Sequence, residues 1–89
     1  MPRLHFTSQL QRFTTTPVVD TAALSLRQAL EDAFAINPRL RGYVLDDQGH
    51  LRANVVVYIN QQRLSDRAHL ADALPPDSTV YVLQALSGG

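Results

Sequence analysis

The sequence predicts a single α+β domain in which one main helix covers one face of a mixed sheet of four to five strands. Three observations carry that expectation. Residues 3–8 and 79–84, close to the two ends of the chain, alternate in polarity with the period of two that marks a half-buried strand. Residues 25–37 repeat their apolar positions at helical spacing between a start signal and a proline stop. Asn54–Asn60 (Asn-Val-Val-Val-Tyr-Ile-Asn) is the densest β-branched and aromatic run in the chain.

Each element follows in order. Leu4, Phe6 and Ser8 alternate with His5, Thr7 and Gln9, which predicts a strand over 3–8. A turn near Gln9–Phe13 leads to a second strand, Thr14–Asp20. Pro17 has no N–H to give to a ladder, so this strand is expected at a sheet edge. Ser25-Leu26-Arg27-Gln28 fits a capping box, with a second possible start at Asp20 or Thr21. Leu26, Leu30, Ala33 and Phe34 form the buried face of the helix, extended by Ala29 and Asn37, while Arg27, Glu31 and Asp32 point outward. Asn37-Pro38 ends it, because proline disfavours helical geometry in the residue before it.

Tyr43–Leu45 reads as a short strand and Asp46-Asp47-Gln48-Gly49 as a turn, giving a long central hairpin with Asn54–Asn60. Asn60-Gln61-Gln62 is a turn, Arg63-Leu64 a short strand, and Ser65–Leu74 has room for one helical turn capped by Ser65 or Asp66. Pro75-Pro76-Asp77-Ser78 turns the chain into the last strand, Thr79–Gln84. There Val80 and Val82 share one face, and Tyr81 and Leu83 the other. A hairpin, a crossing helix and a last strand parallel to the first make a β-grasp arrangement. The expected organisation is a β-grasp domain over 1–84 and a flexible tail over 85–89, since Ser87-Gly88-Gly89 offers nothing to pack.

Composition removes several function classes. The chain has 89 residues, 45% hydrophobic and 18% charged. A domain this small buries only about 60–65% of its unfolded surface and has little room for a deep catalytic cavity. Basic and acidic residues balance at eight each. Beyond the short run Arg39-Leu40-Arg41 they are scattered, so no nucleic acid and no membrane partner is expected. Without cysteine there is no disulfide, thiol nucleophile or thiolate metal site. His5, His50 and His69 lack ligand spacing, so no metal is expected. Ser65, Asp66 and His69 lack the elbow and oxyanion loop of a hydrolase. Asp46 and Asp47 sit side by side on a turn, where carboxylates face water. No apolar run reaches the length of a signal peptide core or of a membrane helix, and a cytoplasmic setting is expected.

At this point the chain resembles a known family. Asn37-Pro38-Arg39-Leu40-Arg41, Leu45-Asp46-Asp47-Gln48-Gly49-His50-Leu51-Arg52 and Val55-Val56-Val57-Tyr58-Ile59-Asn60 look like the middle of the MoaD/ThiS-type ubiquitin-like sulfur carriers. Pro75-Pro76-Asp77-Ser78-Thr79-Val80 resembles their acidic turn before the last strand, and Ala85-Leu86-Ser87-Gly88-Gly89 their tail. The likeness covers residues 24–89. Asn60-Gln61 replaces a common Asn-Gly, and Gln84-Ala85-Leu86 lacks a proline often found at the root of the tail. Length and hairpin look closest to the molybdopterin-synthase small subunit and the cysteine-forming carriers.

The resemblance implies a carrier rather than an enzyme. Its Gly89 carboxylate would be adenylated by a ubiquitin-activating-type enzyme at the expense of ATP, with no cofactor bound by the carrier itself. A sulfur donor would then convert it to a thiocarboxylate that serves a sulfur-accepting synthase subunit. Gly88, Ser87 and Leu86 would be read by the partner's channel. Leu83, Tyr81 and Phe6, on the exposed sheet face, are the expected docking residues. Two other classes stay open: a protein modifier forming isopeptide bonds through Gly89, and a non-catalytic β-grasp binding module with an idle tail. All eight basic residues are arginine. A lysine-free carrier exposes no side-chain amine to its own activated terminus, although genomic base composition alone can produce the same bias.

Overall fold

The computed structural model describes residues 1–7 and 18–84. The turn expected over Gln9–Phe13, most of the strand expected over Thr14–Asp20, Pro17, and the tail Ala85–Gly89 lie outside the described residues. Five strands, β1 (Arg3–Phe6), β2 (Val19–Asp20), β3 (Val55–Ile59), β4 (Gln62–Arg63) and β5 (Thr79–Gln84), form one mixed sheet in the order β2-β1-β5-β3-β4. β1 and β5 run parallel at its centre, with Leu4 opposite Val80 and Phe6 opposite Val82. The other pairs are antiparallel.

Strand alternation fixes which side chains meet the helix. Leu4, Phe6, Val19, Val55, Val57, Ile59, Val80 and Val82 are all buried on one face. Helix α1 (Leu26–Ile36) covers that face with Leu26, Ala29, Leu30, Ala33 and Phe34. Ser25 caps it as expected, its hydroxyl accepting the N–H of Gln28. Only half of the capping box forms, because the Gln28 amide reaches forward to Asp32 instead. Asn37 ends the helix from outside it and is not on the buried face. Arg27, expected outward, lies along the surface and donates to the carbonyls of Gly49, Ala68 and His69.

The strand expected at Tyr43–Leu45 is a helical turn and a half, α2 (Arg39–Val44). Leu40 and Val44, four residues apart, are both fully buried. That helical spacing outweighs the β preference of Tyr43-Val44-Leu45. Arg41 ties α2 back to α1 by lying over the Phe34 ring, 4.9 Å from its centre, and by pairing with Glu31. The expected long hairpin is therefore absent. Only an isolated bridge joins Leu45 to Leu51 across the turn, where Gly49 has a positive φ of 80°. Asp46 holds this turn by accepting the N–H groups of Gln48 and His50.

The segment between β4 and β5 is held by two carboxylates. Asp66 accepts from the N–H of Ala68 and of His69 and so caps the single turn expected there. Asp72 accepts from the Ser65 N–H and hydroxyl and from the Asp66 N–H. Those bonds, the Ser65 N–H first, hold its carboxyl below the ordinary carboxylate range against the opposing effect of desolvation. Asp72 thus contributes stability that is present above about pH 4, the ordinary unfolded value, and is lost as pH falls through its lower folded value.

Two measurements check this. Leu30 is 1% exposed beneath the sheet, so Leu30→Ala is expected to cost about 2–5 kcal/mol in urea unfolding. Asp72→Asn should lower the unfolding midpoint at neutral pH and flatten its fall between about pH 5 and pH 2, relative to wild type.

Candidate functional site

The face of the sheet opposite α1 carries no helix among the described residues. The same alternation that buries Leu4 and Phe6 brings His5 to this side, and β5 adds Tyr81 and Leu83. β3 contributes Val56 and Tyr58, in register with Leu83 and Tyr81 respectively. The His5 and Tyr81 rings stack at 5.1 Å with 19° between their planes. Tyr81 is nevertheless 46% exposed, one of the few large apolar residues left open. Thr7, Tyr58, Gln61, Tyr81 and Leu83 line a shallow depression of about 250 Å³. Its walls are chiefly ring and aliphatic carbon, so it suits an apolar side chain better than a charged ligand.

Phe6 does not belong to this face. It is 6% exposed, opposite Val82, and part of the core. The expectation that it docks a partner is corrected: Phe6 shares the apolar side of β1 with Leu4, and that side faces α1. Tyr81 and Leu83 do lie on the open face. His5, Val56 and Tyr58 are the site residues that sequence reasoning missed. In Val-Val-Val-Tyr-Ile both faces of the strand are apolar, so no polarity contrast marks the open positions. Register with Tyr81 and Leu83 supplies that information.

The second part of the site is the end of β5. Gln84, the last described residue, is in register with Val55 at the start of β3. Gly88, Ser87, Leu86 and Gly89 follow outside the described residues. No three His, Cys, Asp or Glu side chains come together among the described residues as a metal site would need. No helix among them is long and apolar enough to cross a membrane.

This arrangement of a helix-covered sheet with parallel central strands matches solved structures over nearly the whole chain. SAMP1 from Haloferax volcanii superposes with a TM-score of 0.77 at 21% identity, covering 99% of this chain and 98% of that one. A chain of the Amycolatopsis orientalis BexX/CysO complex gives 0.80 at 15% identity, with both chains covered completely. The fold is a ubiquitin-like β-grasp. A second structure, H. volcanii small archaeal modifier protein 1, gives 0.70 at 18% identity over 96% of this chain and 97% of that one. No protein-family model matches the sequence, and no curated protein gives a significant match. At these identities the likeness is one of β-grasp architecture.

The open face of this β-grasp is expected to tolerate polar substitution. Tyr81→Ser and Leu83→Ser each remove a partly exposed side chain and leave no buried cavity. Each should change unfolding free energy by less than about 1 kcal/mol, well below the cost of a core truncation such as Leu30→Ala. Parallel urea titrations of the three variants check this.

Proposed function

We propose that the chain is a ubiquitin-fold sulfur carrier whose reacting group is the Gly89 carboxylate. One observation carries the reading: a Gly-Gly pair occupies the fourth and fifth residues past β5, a central strand of a β-grasp body. The MoaD/ThiS-like segments around residues 37–60 and 75–89 support it.

The chemistry explains why such a terminus is useful. A carboxylate is a poor electrophile. In the adenylating partner, its oxygen attacks the α-phosphorus of ATP, a P–O bond breaks, and pyrophosphate leaves. Sulfide from a sulfur donor then attacks the acyl carbon, the acyl–phosphate C–O bond breaks, AMP departs, and a thiocarboxylate remains. Transfer of that sulfur to an acceptor and hydrolysis return the carboxylate. The carrier supplies neither base nor metal. It supplies reach and shape: Ala85–Gly89, fully extended, span on the order of 17 Å. Residues without a Cβ at positions 88 and 89 fit a channel too narrow for side chains.

Ordering such a segment costs about 1–2 kcal/mol per residue, so the tail alone binds weakly. The open sheet face supplies the remaining affinity in this reading. Tyr81 and Leu83 offer the apolar contact, and the depression between Tyr58 and Tyr81 receives one apolar side chain of the partner. Cytoplasmic location and sulfur delivery to a biosynthetic synthase belong to the same proposal.

A protein modifier is the second reading, favoured by the shared fold of small archaeal modifier protein 1. Both readings use one adenylate, and intact mass separates them. Incubation with the adenylating enzyme, ATP and a sulfur donor should give a carrier whose mass shows oxygen exchanged for sulfur. Adducts on lysines of other proteins would instead identify a modifier. Deletion of Gly88-Gly89 should abolish either product, and a fully active truncated chain would overturn both readings.

A further inference from the structure

The depression on the open face has a wall that is braced from outside it. Across the sheet, His5 of β1 is in register with Tyr81 of β5, and Tyr81 with Tyr58 of β3. Three rings therefore belong to one rank of neighbouring strands. The His5 and Tyr81 ring centres are 5.1 Å apart, with planes 19° from parallel. Two rings lying flat on the sheet could not bring their centres so close without their edges clashing. Neighbouring strands are themselves about 4.8 Å apart. The stack therefore runs from strand to strand, and both rings stand on edge above the sheet. One face of Tyr81 is turned to His5. The other is turned toward β3, where Tyr58 and Gln61 line the depression.

His5 does not line the depression, so it reaches an occupant only through Tyr81. Its imidazole makes no hydrogen bond among the described residues, and the stack is the contact its ring offers. A tyrosine on a strand with nearly half its surface exposed has more than one χ1 rotamer open to it. Selecting one on binding costs conformational entropy, which subtracts from affinity. A ring stacked on its neighbour has made that selection in the free protein. Leu83, also in the lining, directly precedes Gln84, the last residue of β5. A protein that holds the five residues beyond β5 is therefore seated against this end of the open face.

We propose that His5 is a positioning residue of the docking face: it fixes Tyr81 as the upright wall of a preformed slot that takes one apolar side chain of the adenylating enzyme. The proposal deepens the carrier reading and rests on it. His5 acts through Tyr81 and contributes a flat ring rather than its nitrogen atoms. Its effect belongs to formation of the complex and not to the chemical step, because the slot lies on the body whereas the reacting carboxylate ends the tail. Preorganisation of this kind lowers the cost of association without adding a contact to the partner.

The test uses ATP–pyrophosphate exchange by the adenylating enzyme that accepts the wild-type chain, with melting temperatures recorded for every variant. His5→Ala should raise the KM for the carrier about three- to tenfold and leave kcat unchanged. His5→Phe, which restores a ring, should return KM to within about twofold of wild type, whereas His5→Gln, polar and without a ring, should behave as His5→Ala. In a Tyr81→Leu background His5→Ala should have no further effect, because the wall it holds is gone. In the free protein, the ring-proton NMR shifts of Tyr81 should move toward those of free tyrosine in His5→Ala and not in His5→Phe. A His5→Ala KM within about twofold of wild type overturns the proposal. So does rescue by His5→Gln, failure of rescue by His5→Phe, or an undiminished effect of His5→Ala beside Tyr81→Leu. Absence of exchange with the wild-type chain overturns the carrier reading and the proposal with it, whereas exchange indifferent to His5 overturns the proposal alone.

Discussion

The parallel pairing of β1 with β5 is the contact on which the rest of the structure depends. It brings residues 3–6 beside residues 79–82 and sets their registers so that Leu4, Phe6, Val80 and Val82 share one side. That side becomes the seat of α1. The same constraint sends His5, Tyr81 and Leu83 to the opposite side. One register therefore defines both the core and the open face. A one-residue slip of β1 would exchange its two faces, removing Leu4 and Phe6 from the core.

The loops are tied down in a second way, by arginines acting on carbonyl oxygens. Arg27 gathers the carbonyls of Gly49, Ala68 and His69, Arg67 those of Arg52 and Val55, and Arg52 that of Gly42. A planar fork with five donors serves several acceptors at once, while an ammonium is a compact point donor. The lysine-free composition thus has a structural account at these positions, beside any benefit to an activated terminus. Gly49, Arg52, Ala68 and His69 lie in irregular segments with no sheet partner for these carbonyls, while Val55 opens β3 and Gly42 lies in the last turn of α2.

Strong local signals are legible in the sequence alone. The last strand was bounded to the residue because Pro75-Pro76-Asp77-Ser78 stops the chain ahead of a clean alternation. The start of α1 was readable from the Ser25 hydroxyl, and its end from Asn37-Pro38. What stayed hidden depends on contacts distant in sequence. Helix α2 is six residues long, too short for periodicity to outweigh the β preference of Tyr43-Val44-Leu45, and only burial of Leu40 and Val44 together decides it. The core position of Phe6 is legible in β1 itself, where Leu4 and Phe6 share a side opposite the more polar His5 and Thr7, and pairing with Val82 in β5 confirms it. The open positions Val56 and Tyr58 leave no mark in the sequence, because a strand apolar on both faces does not advertise its open one.

The central strand pair also governs how the domain can be made. Its two strands are separated by nearly the whole chain, so the loop that must close before they meet is almost as long as the domain. Such closure is entropically costly and puts folding on the slow side for a chain of this size. During synthesis the sheet lacks its middle until β5 has left the ribosome. Until then β1 and β3 have no common neighbour, and α1 has only part of its platform. A partly made chain therefore has neither its full core nor its open face, and both come into being together with the last strand.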